Sequence, residues 1–312
     1  MQPAKTIVAL LNLPGVGTKT VRNLIEERAF ELDSADELIN FIQEQSSQLA
    51  RLRVPTYKEA EHALNLASKI IAESEKLEIG ILSFFSDRYP DRLRNIDNAP
   101  PILYFLGNLE CLSREYRSVA LVGSREPSDW GGKCAFQIGK SLAELGITVV
   151  SGLARGCDTL AHEGCLNGGG RTVAVLAGGL DEISPASNKE LAVKIIEKQG
   201  CLITETPIGT RPKRHTFVER NRIQSGVSDG VIIAETNIGS GTMTTADHAN
   251  QQRRPIACIK FPETSKFEGI AEGNTLLINQ GAAALNGTEE LQSFVKKLSE
   301  IKHPSQPDMF SS

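Results

Sequence analysis

Residues 147–162, with the sequence ITVVSGLARGCDTLAH, decide the fold of this chain. A short run that is apolar throughout leads into a turn with two glycines, and a stretch with helical character follows over 157–168. An uninterrupted apolar run is typical of a strand that is covered on both faces, as in a parallel sheet. The stretch therefore predicts one strand–turn–helix unit of an α/β fold.

The same unit recurs along the chain from Ser118 onward. Further apolar runs are SVALVG (118–123), TVAVLAGG (172–179), CLITET (201–206), GVIIAET (230–236) and PIACI (255–259). Helices are predicted between and after them, over 131–145, 187–199, 219–226, 242–252 and 270–280. Apolar runs that alternate with helices predict an α/β fold with an extended Rossmann-like, doubly wound and mostly parallel sheet.

The remainder of the 312 residues divides into shorter parts. Residues 1–76 carry apolar residues at three- and four-residue spacing, which predicts a small N-terminal helical domain. Residues 77–117 are rich in Pro and Asp and are expected to form a connector that leads into a Rossmann-like core at 118–300. Residues 301–312 are polar with two prolines and are expected to be a flexible tail.

Composition narrows the class of protein. The formal net charge of -4 means that any surface for nucleic acid must be a local basic patch. The six cysteines show no C-x-x-C spacing, which favours reduced thiols. The N-terminus lacks the features of a signal peptide, and no apolar run approaches the roughly 20 residues that span a bilayer. We therefore expect a cytoplasmic protein without membrane contact.

The carboxyl ends of the predicted strands mark the expected site, because ligands of open α/β sheets bind there. Several of these ends carry glycines, which let backbone amides approach an anion closely. The turns are GSR (123–125), SGLARG (151–156), the pair Gly178 and Gly179, and NIGSGT (237–242). Another strand leads into a basic loop, GTRPKRHTFVERNR (209–222).

Basic residues concentrate at this edge and indicate successive phosphates rather than one. The candidate cations are Arg125, Arg155, Lys213, Arg214, Arg220 and Arg222. Phe217 lies among them and would stack on a base, as aromatic residues do in single-strand sites. The alternative is a solvated loop with one buried Phe. NAD and ATP sites are disfavoured, since GSREPSDWGG lacks G-x-G-x-x-G and CAFQIGKS (134–141) falls inside a predicted helix.

Taken together over 80–285, the motifs resemble the DprA (Smf) family of DNA-processing proteins. The resemblance rests on YPDRLRNIDNAPPILYFLGN, VGSREPSDWG, SGLARGCDTLAHEGCLNGGGRTVAVLAGGLD, ITETPIGTRP, FVERNRIQSGVSDGVIIAET, GSGTMTTADHA and GNTLLINQGA, in the family's order. It implies an extended Rossmann fold, a homodimer, and binding and protection of single-stranded DNA. It further implies loading of the RecA recombinase, a role in natural transformation (competence), no cofactor and no known catalytic activity.

The resemblance also carries site residues onto this chain. Ser124 and Arg125 of GSR would contact phosphate, and the backbone of SGLARG would line the pocket. The nucleic-acid-binding set is Ser124, Arg125, Gly152, Leu153, Ala154, Arg155, Gly156, Gly178, Gly179, Lys213, Arg214, Phe217, Arg220, Asn221, Arg222, Ser240, Gly241 and Thr242. The chain departs from the family at Val218, where Pro is usual, and after about residue 300, where many members carry a winged helix. A divergent member is therefore expected.

Other functions compete with this interpretation. A nucleotide-binding protein or a phosphoribohydrolase acting on nucleoside monophosphates is the alternative within the same fold, with Glu205 and Glu235 at strand ends as candidate carboxylates for hydrolysis. A metal site at Cys157, His162 and Cys165 is disfavoured, because their spacing on one helix is poor for a tetrahedron. No metal is therefore expected.

Two short motifs outside the core indicate further contacts. LPGVG (13–17) resembles the hairpin of a helix-hairpin-helix motif and makes Gly15, Gly17 and Lys19 candidates for a secondary DNA contact. A simple turn between two helices is the alternative. QPDMF (306–310) resembles peptides that bind the sliding clamp, with Gln306, Met309 and Phe310 as candidate contacts.

Overall fold

The structure is a computed structural model that describes residues 4–25, 31–46, 52–262, 267 and 269–300. The helices within these residues are α1 (Ala4–Leu11), α2 (Thr18–Ile25), α3 (Ala35–Ser46), α4 (Tyr57–Lys76), α5 (Asp91–Arg94), α6 (Asp129–Glu144), α7 (Cys157–Asn167), α8 (Lys189–Glu197), α9 (Arg214–Gly226), α10 (Gly241–Gln251), α11 (Glu272–Asn279) and α12 (Thr288–Glu300). The strands are β1 (Gly80–Ser83), β2 (Ile102–Gly107), β3 (Ser118–Val122), β4 (Thr148–Ser151), β5 (Thr172–Val175), β6 (Cys201–Thr204), β7 (Gly230–Ile233), β8 (Ile256–Ile259) and β9 (Ala283–Leu285).

The strands form one sheet in the order β1-β2-β6-β5-β4-β3-β7-β8-β9. All neighbours from β6 to β9 pair in parallel, and only β2 runs antiparallel to both of its neighbours. The predicted mostly parallel, doubly wound sheet is confirmed. The order reverses between β3 and β7, since the chain goes from β3 to β4 on one side and returns to β7 on the other.

The apolar strands are buried because helices cover both faces. Val119 and Leu121 of β3 belong to a cluster with residues of α6, α7 and α12. Ala120 and Val122 of the same strand belong to a second cluster, with residues of α9, α10 and α11. Successive side chains of a strand point to opposite faces, so the run SVALV fills both clusters. This explains why the strands are apolar throughout rather than alternating.

The four N-terminal helices pack on the β2 side of the sheet. Their apolar residues share one cluster with Ile102 and Tyr104 of β2 and with Leu202 of β6. Helix α4 begins at a capping box, in which the Thr56 hydroxyl and the Glu59 side chain each bond the other's backbone N–H. The Arg22 side chain of α2 donates to the Ala99 carbonyl at 3.2 Å. The helical region therefore continues the hydrophobic core of the sheet.

The structure corrects the interpretation of 77–117 as a connector. This segment supplies β1 and β2, which extend the sheet beyond β6. It is also joined to the Rossmann-like part by a buried ion pair, in which Arg92 Nε lies 2.8 Å from Asp229 Oδ1. Its strands were missed because Pro, Asp and Gly surround them and lower the apparent β-propensity of the region.

Candidate nucleic-acid interface

A cavity of about 850 Å³ opens at the carboxyl ends of β3 and β7, where the strand order reverses. Open α/β sheets bind ligands at this topological position. We name this cavity the switch-point pocket. The predicted residues that line it are Ser124, Arg125, Ala154, Arg214, Phe217, Arg220, Asn221, Ser240, Gly241 and Thr242. Motifs that lie far apart in the sequence therefore meet at one site.

A cation and an aromatic ring lie together at the pocket wall. The Arg125 guanidinium carbon is 5.1 Å from the centroid of the Phe217 ring. Arg125 is exposed and Phe217 is half-buried. Arg214 lies three residues before Phe217 on α9, on the same side of that helix, and also lines the pocket. These side chains provide two positive charges and a ring face next to the same space.

The SGLARG turn is held by side chains that sequence reasoning did not assign to it. The Asp158 carboxylate accepts from the backbone N–H of Gly152 at 3.0 Å and of Ala154 at 3.4 Å. The Asn188 amide donates to the Leu153 carbonyl at 2.8 Å. Leu153 itself is fully buried in the cluster with the N-terminal helices, so its side chain supports the turn from behind.

Gly156 joins this turn to the GSR turn. Its φ of +76° lies in the left-handed region, and an added Cβ would collide with the carbonyls of Ser124 and Arg125. The next residue, Cys157, donates its backbone N–H to the Ser124 carbonyl at 2.9 Å. Glycine is required here because the two loops approach within backbone contact.

Arg220 forms part of the pocket floor and is only 5 % exposed. Its guanidinium donates to the Val175 carbonyl, and an added Cβ at Gly152 would overlap it. Burial lowers the pKa of Arg220 to about 10, against the opposing influence of Asp158, so the side chain stays charged at neutral pH. Burial likewise raises the pKa of Asp158, although Arg220 opposes this shift. Arg220 therefore adds positive potential at the pocket floor.

The structure corrects the prediction that 209–222 is one basic loop. Helix α9 begins at Arg214 instead of at 219, so the basic residues are distributed around a helix. Arg222 lies on another side of α9, where its guanidinium holds both oxygens of Glu205 at 2.6 and 2.7 Å. Its charge is neutralised by this pair, and it does not line the switch-point pocket.

Seven further predicted residues, all within the described part of the chain, lie outside the pocket lining. They are Gly152, Leu153, Arg155, Gly156, Gly178, Gly179 and Lys213. Arg155 and Lys213 are exposed. An added Cβ at Gly178 would meet Pro212, and one at Gly179 would meet Asp181 and the Pro207 carbonyl. The two glycines thus permit close packing of the loop before α9 rather than contact with a ligand in this pocket.

The N-terminus of α10 forms the opposite wall. Ser240, Gly241 and Thr242 line the pocket there. The Thr242 hydroxyl donates to the Gly123 carbonyl at 3.1 Å, and the Asn221 amide donates to the Gly241 carbonyl at 3.1 Å. These bonds tie the helix end to β3 and to α9. A helix N-terminus carries partial positive charge and favours an anion.

Glu235, at the end of β7, has a structural contact that the sequence did not indicate. Its carboxylate accepts from the Ser128 backbone N–H at 3.0 and 3.1 Å and from the Ser128 hydroxyl at 2.5 Å. It is 6 % exposed and lies against Gly131 in the first turn of α6. The negative charge stabilises the N-terminus of that helix.

The residues weighed as a metal site are spread through the packing behind the pocket. Cys157 and Cys165 are buried thiols, and burial raises the pKa of each to about 12. His162 is fully buried, with Nδ1 2.7 Å from the Thr172 hydroxyl. Burial, followed by the charge of Arg220, lowers the pKa of His162 to about 3. Across the described residues, no group of three or more His, Cys, Asp or Glu is placed to hold a metal ion.

The structure describes only one of the two motifs that were noted outside the core. The LPGVG hairpin lies between α1 and α2, with Gly15 at a φ of +78° and open space around both of its glycines. Lys19 is exposed and lines a second cavity, of about 610 Å³, that is separate from the switch-point pocket. Gln306, Met309 and Phe310 lie outside the described residues.

No helix in the described ranges is long and apolar enough to span a bilayer.

Comparisons with known proteins show the family of this chain. The family model of the DNA recombination-mediator protein A matches residues 80–296. The DNA processing protein DprA of Bacillus subtilis is 34% identical over 223 residues, which cover 72% of this chain and 73% of that protein. Protein Smf of Synechocystis is 38% identical over 206 residues, which cover 65% of this chain and 50% of that protein. The match thus spans only half the length of that relative.

Two solved structures are also similar. The X-ray structure of DprA from Streptococcus pneumoniae has a TM-score of 0.68 and 26% identity, with 89% of this chain and 98% of that chain covered. DNA processing protein A from Helicobacter pylori, described for its single-stranded DNA binding mode, has a TM-score of 0.61 and 25% identity. That alignment covers 72% of this chain and 98% of the other. The chain therefore belongs to the DNA recombination-mediator protein A (DprA/Smf) family, as the resemblance of its motifs implied.

Proposed function

We propose that this chain binds single-stranded DNA in the switch-point pocket. The observation that carries the proposal is the convergence of Arg125, Arg214 and Phe217 with the N-terminus of α10 on one cavity. Arginines and helix N-termini neutralise phosphates, and an aromatic face stacks on an unpaired base. A single-stranded DNA binding mode is described for the Helicobacter pylori relative, which supports single-strand binding by this chain.

A direct test is equilibrium binding to single-stranded and double-stranded DNA of equal length, over a series of salt concentrations. The pocket is expected to favour the single strand, because a duplex keeps its bases stacked and cannot offer one to Phe217. Affinity should fall steeply with salt, since phosphate contacts release counterions. A preference for the duplex would shift the assignment to the hairpin at Gly15 and Gly17.

We further propose that the bound strand is protected and passed to a RecA-type recombinase, during natural transformation or related DNA uptake and repair. Family membership as a recombination mediator supports this proposal. We also propose that the chain forms a homodimer and that it is located in the cytoplasm. The test is the rate of recombinase filament assembly on single-stranded DNA coated with single-strand-binding protein. A rate that does not respond to this chain would count against the loading role.

We also propose that the chain is not an enzyme. The hydrolase alternative assigns its carboxylate to Glu235 or Glu205, and Glu235 is instead bonded to Ser128 at the start of α6. The other candidate, Glu205, is held by Arg222. Incubation with nucleoside monophosphates is therefore expected to release no free base. Release of free base by the wild-type chain, lost in the Glu235→Gln variant, would instead support the hydrolase.

A further inference from the structure

A second cavity lies between the N-terminal helices and the sheet, on the other side of α9. We name it the domain cleft; its volume is about 610 Å³. Helices α1 and α2 form one wall, residues 97–102 form another, and the ends of β5 and β6 with α9 form the floor. The motifs that define the switch-point pocket did not indicate this cleft, because most of the residues that line it lie outside those motifs.

Helix α9 separates the two cavities. Phe217, Asn221 and Gln224 line the switch-point pocket, whereas Thr216, Glu219 and Arg222 line the domain cleft. An α-helix turns by about 100° per residue, so these sets project to different sides. Two residues, Val218 and Arg220, line both cavities. Val218 is 43 % exposed, which leaves an open apolar edge between the two spaces.

The lining of the cleft suits a base better than a phosphate. Its apolar surface comes from Val8, Leu11, Pro101 and Ile102, and amide side chains at Asn12, Asn23 and Asn98 add hydrogen-bonding groups. The Arg222 charge in the floor is neutralised by Glu205. Asp97 and Glu219 also line the cleft, and their carboxylates would repel a phosphate inside it.

Two cations of α2, Arg22 and Lys19, also line this cleft. The Arg22 guanidinium lies over the Phe84 ring and donates to the Ala99 carbonyl, so its contacts are made within the protein. Lys19 of α2 is exposed and lines the cleft, and within the described part of the chain no carboxylate lies within ion-pair distance of it. An exposed ammonium at the edge of a cavity with apolar walls fits a phosphate outside the cleft with its base inside. Single-strand sites combine positive charge along the backbone with surfaces against which the bases pack.

We propose that a DNA strand held in the switch-point pocket continues past Val218 and places an unstacked base in the domain cleft, with Lys19 at the adjoining phosphate. This inference rests on the proposed single-strand binding and adds the N-terminal helices to the DNA path. It assigns to the cleft a nucleobase of the same strand.

The test compares short and long oligothymidylates by fluorescence anisotropy at fixed salt, with about 4 and about 16 nucleotides as the two lengths. Lys19→Glu is expected to weaken binding of the long strand roughly tenfold and to leave the short strand within about twofold. The matched control is Lys58→Glu, an equal charge change at an exposed position of α4 outside both cavities. A long strand with abasic units outside the pocket-bound nucleotides should also lose affinity.

The outcomes separate this inference from the function on which it rests. Equal effects of Lys19→Glu and Lys58→Glu on the long strand would overturn it, since only bulk charge would then matter. Abasic extensions that bind as tightly as thymidine extensions would overturn the base site. Arg125→Ala should weaken both lengths. If Arg125→Ala changes neither, the switch-point pocket itself is wrongly assigned, and this inference fails with it.

Discussion

The buried imidazole of His162 leads to a quantitative prediction about stability and pH. Thr172 donates its hydroxyl proton to the Val149 carbonyl at 2.7 Å, so His162 Nδ1 must carry the proton in its bond to Thr172. The other nitrogen, Nε2, is buried without a hydrogen-bond partner among the described residues. Protonation there would create a buried cation near Arg220, which is why the pKa falls from 6.5 to about 3.

The direction in which stability changes with pH follows from the linkage between protonation and folding. The folded-state pKa lies below the unfolded value, so His162 stabilises the protein fully above about pH 6.5 and progressively less as pH falls. Each pH unit below 6.5 removes about 1.4 kcal/mol until the folded pKa is reached. At about pH 5, which is roughly 1.5 units lower, the loss is about 2 kcal/mol.

The assay is urea denaturation of the wild-type protein and of His162→Gln at a series of pH values between about 7.5 and 5. Gln cannot titrate, so the wild-type free energy of unfolding should fall by about 2 kcal/mol more than that of the variant over this range. Changes from Asp158 and other groups occur in both proteins and cancel in the difference. Parallel pH curves for the two proteins would refute the reasoning.

Three further changes test the packing around the site. Gly152→Ala should displace the buried Arg220 guanidinium, lower the free energy of unfolding by about 1–3 kcal/mol and weaken single-strand binding, as measured by denaturation and anisotropy. Asp229→Asn should cost about 3 kcal/mol in denaturation experiments, because Arg92 is left as a buried cation without its carboxylate. Glu235→Gln should lower stability by about 0.5–2 kcal/mol in the same assay without changing DNA affinity, because the lost charge caps α6.

The sheet was predictable because its strands carry a strong local signal. Runs such as SVALV are apolar throughout, and the structure buries every residue of that run between helices on both faces. The glycines that follow β3 and β7 also lie at the cavity that opens there, since parallel strands bring their carboxyl ends to one edge. The pattern of apolar residues and the glycines in turns are local features, so they can be recognised in a single sequence.

The errors arose where tertiary contacts decide the outcome. The stretch 214–218 has little apolar periodicity, yet it forms the start of α9, and the structure places its members on different sides of that helix. Arg222 looks like a DNA contact by residue type and is instead paired with Glu205, which follows a different strand. Asp158 and Asn188 hold the SGLARG turn through bonds that have no sequence signature.

The most direct test of the account is single-strand affinity after removal of the cation and ring that meet in the switch-point pocket. The double variant Arg125→Ala with Phe217→Ala should bind single-stranded DNA at least tenfold more weakly at fixed salt, and its salt slope should fall by about 1. The control is Arg211→Ala, which removes an exposed cation that does not line the pocket. Wild-type affinity in the double variant would contradict the central claim that this pocket binds the strand.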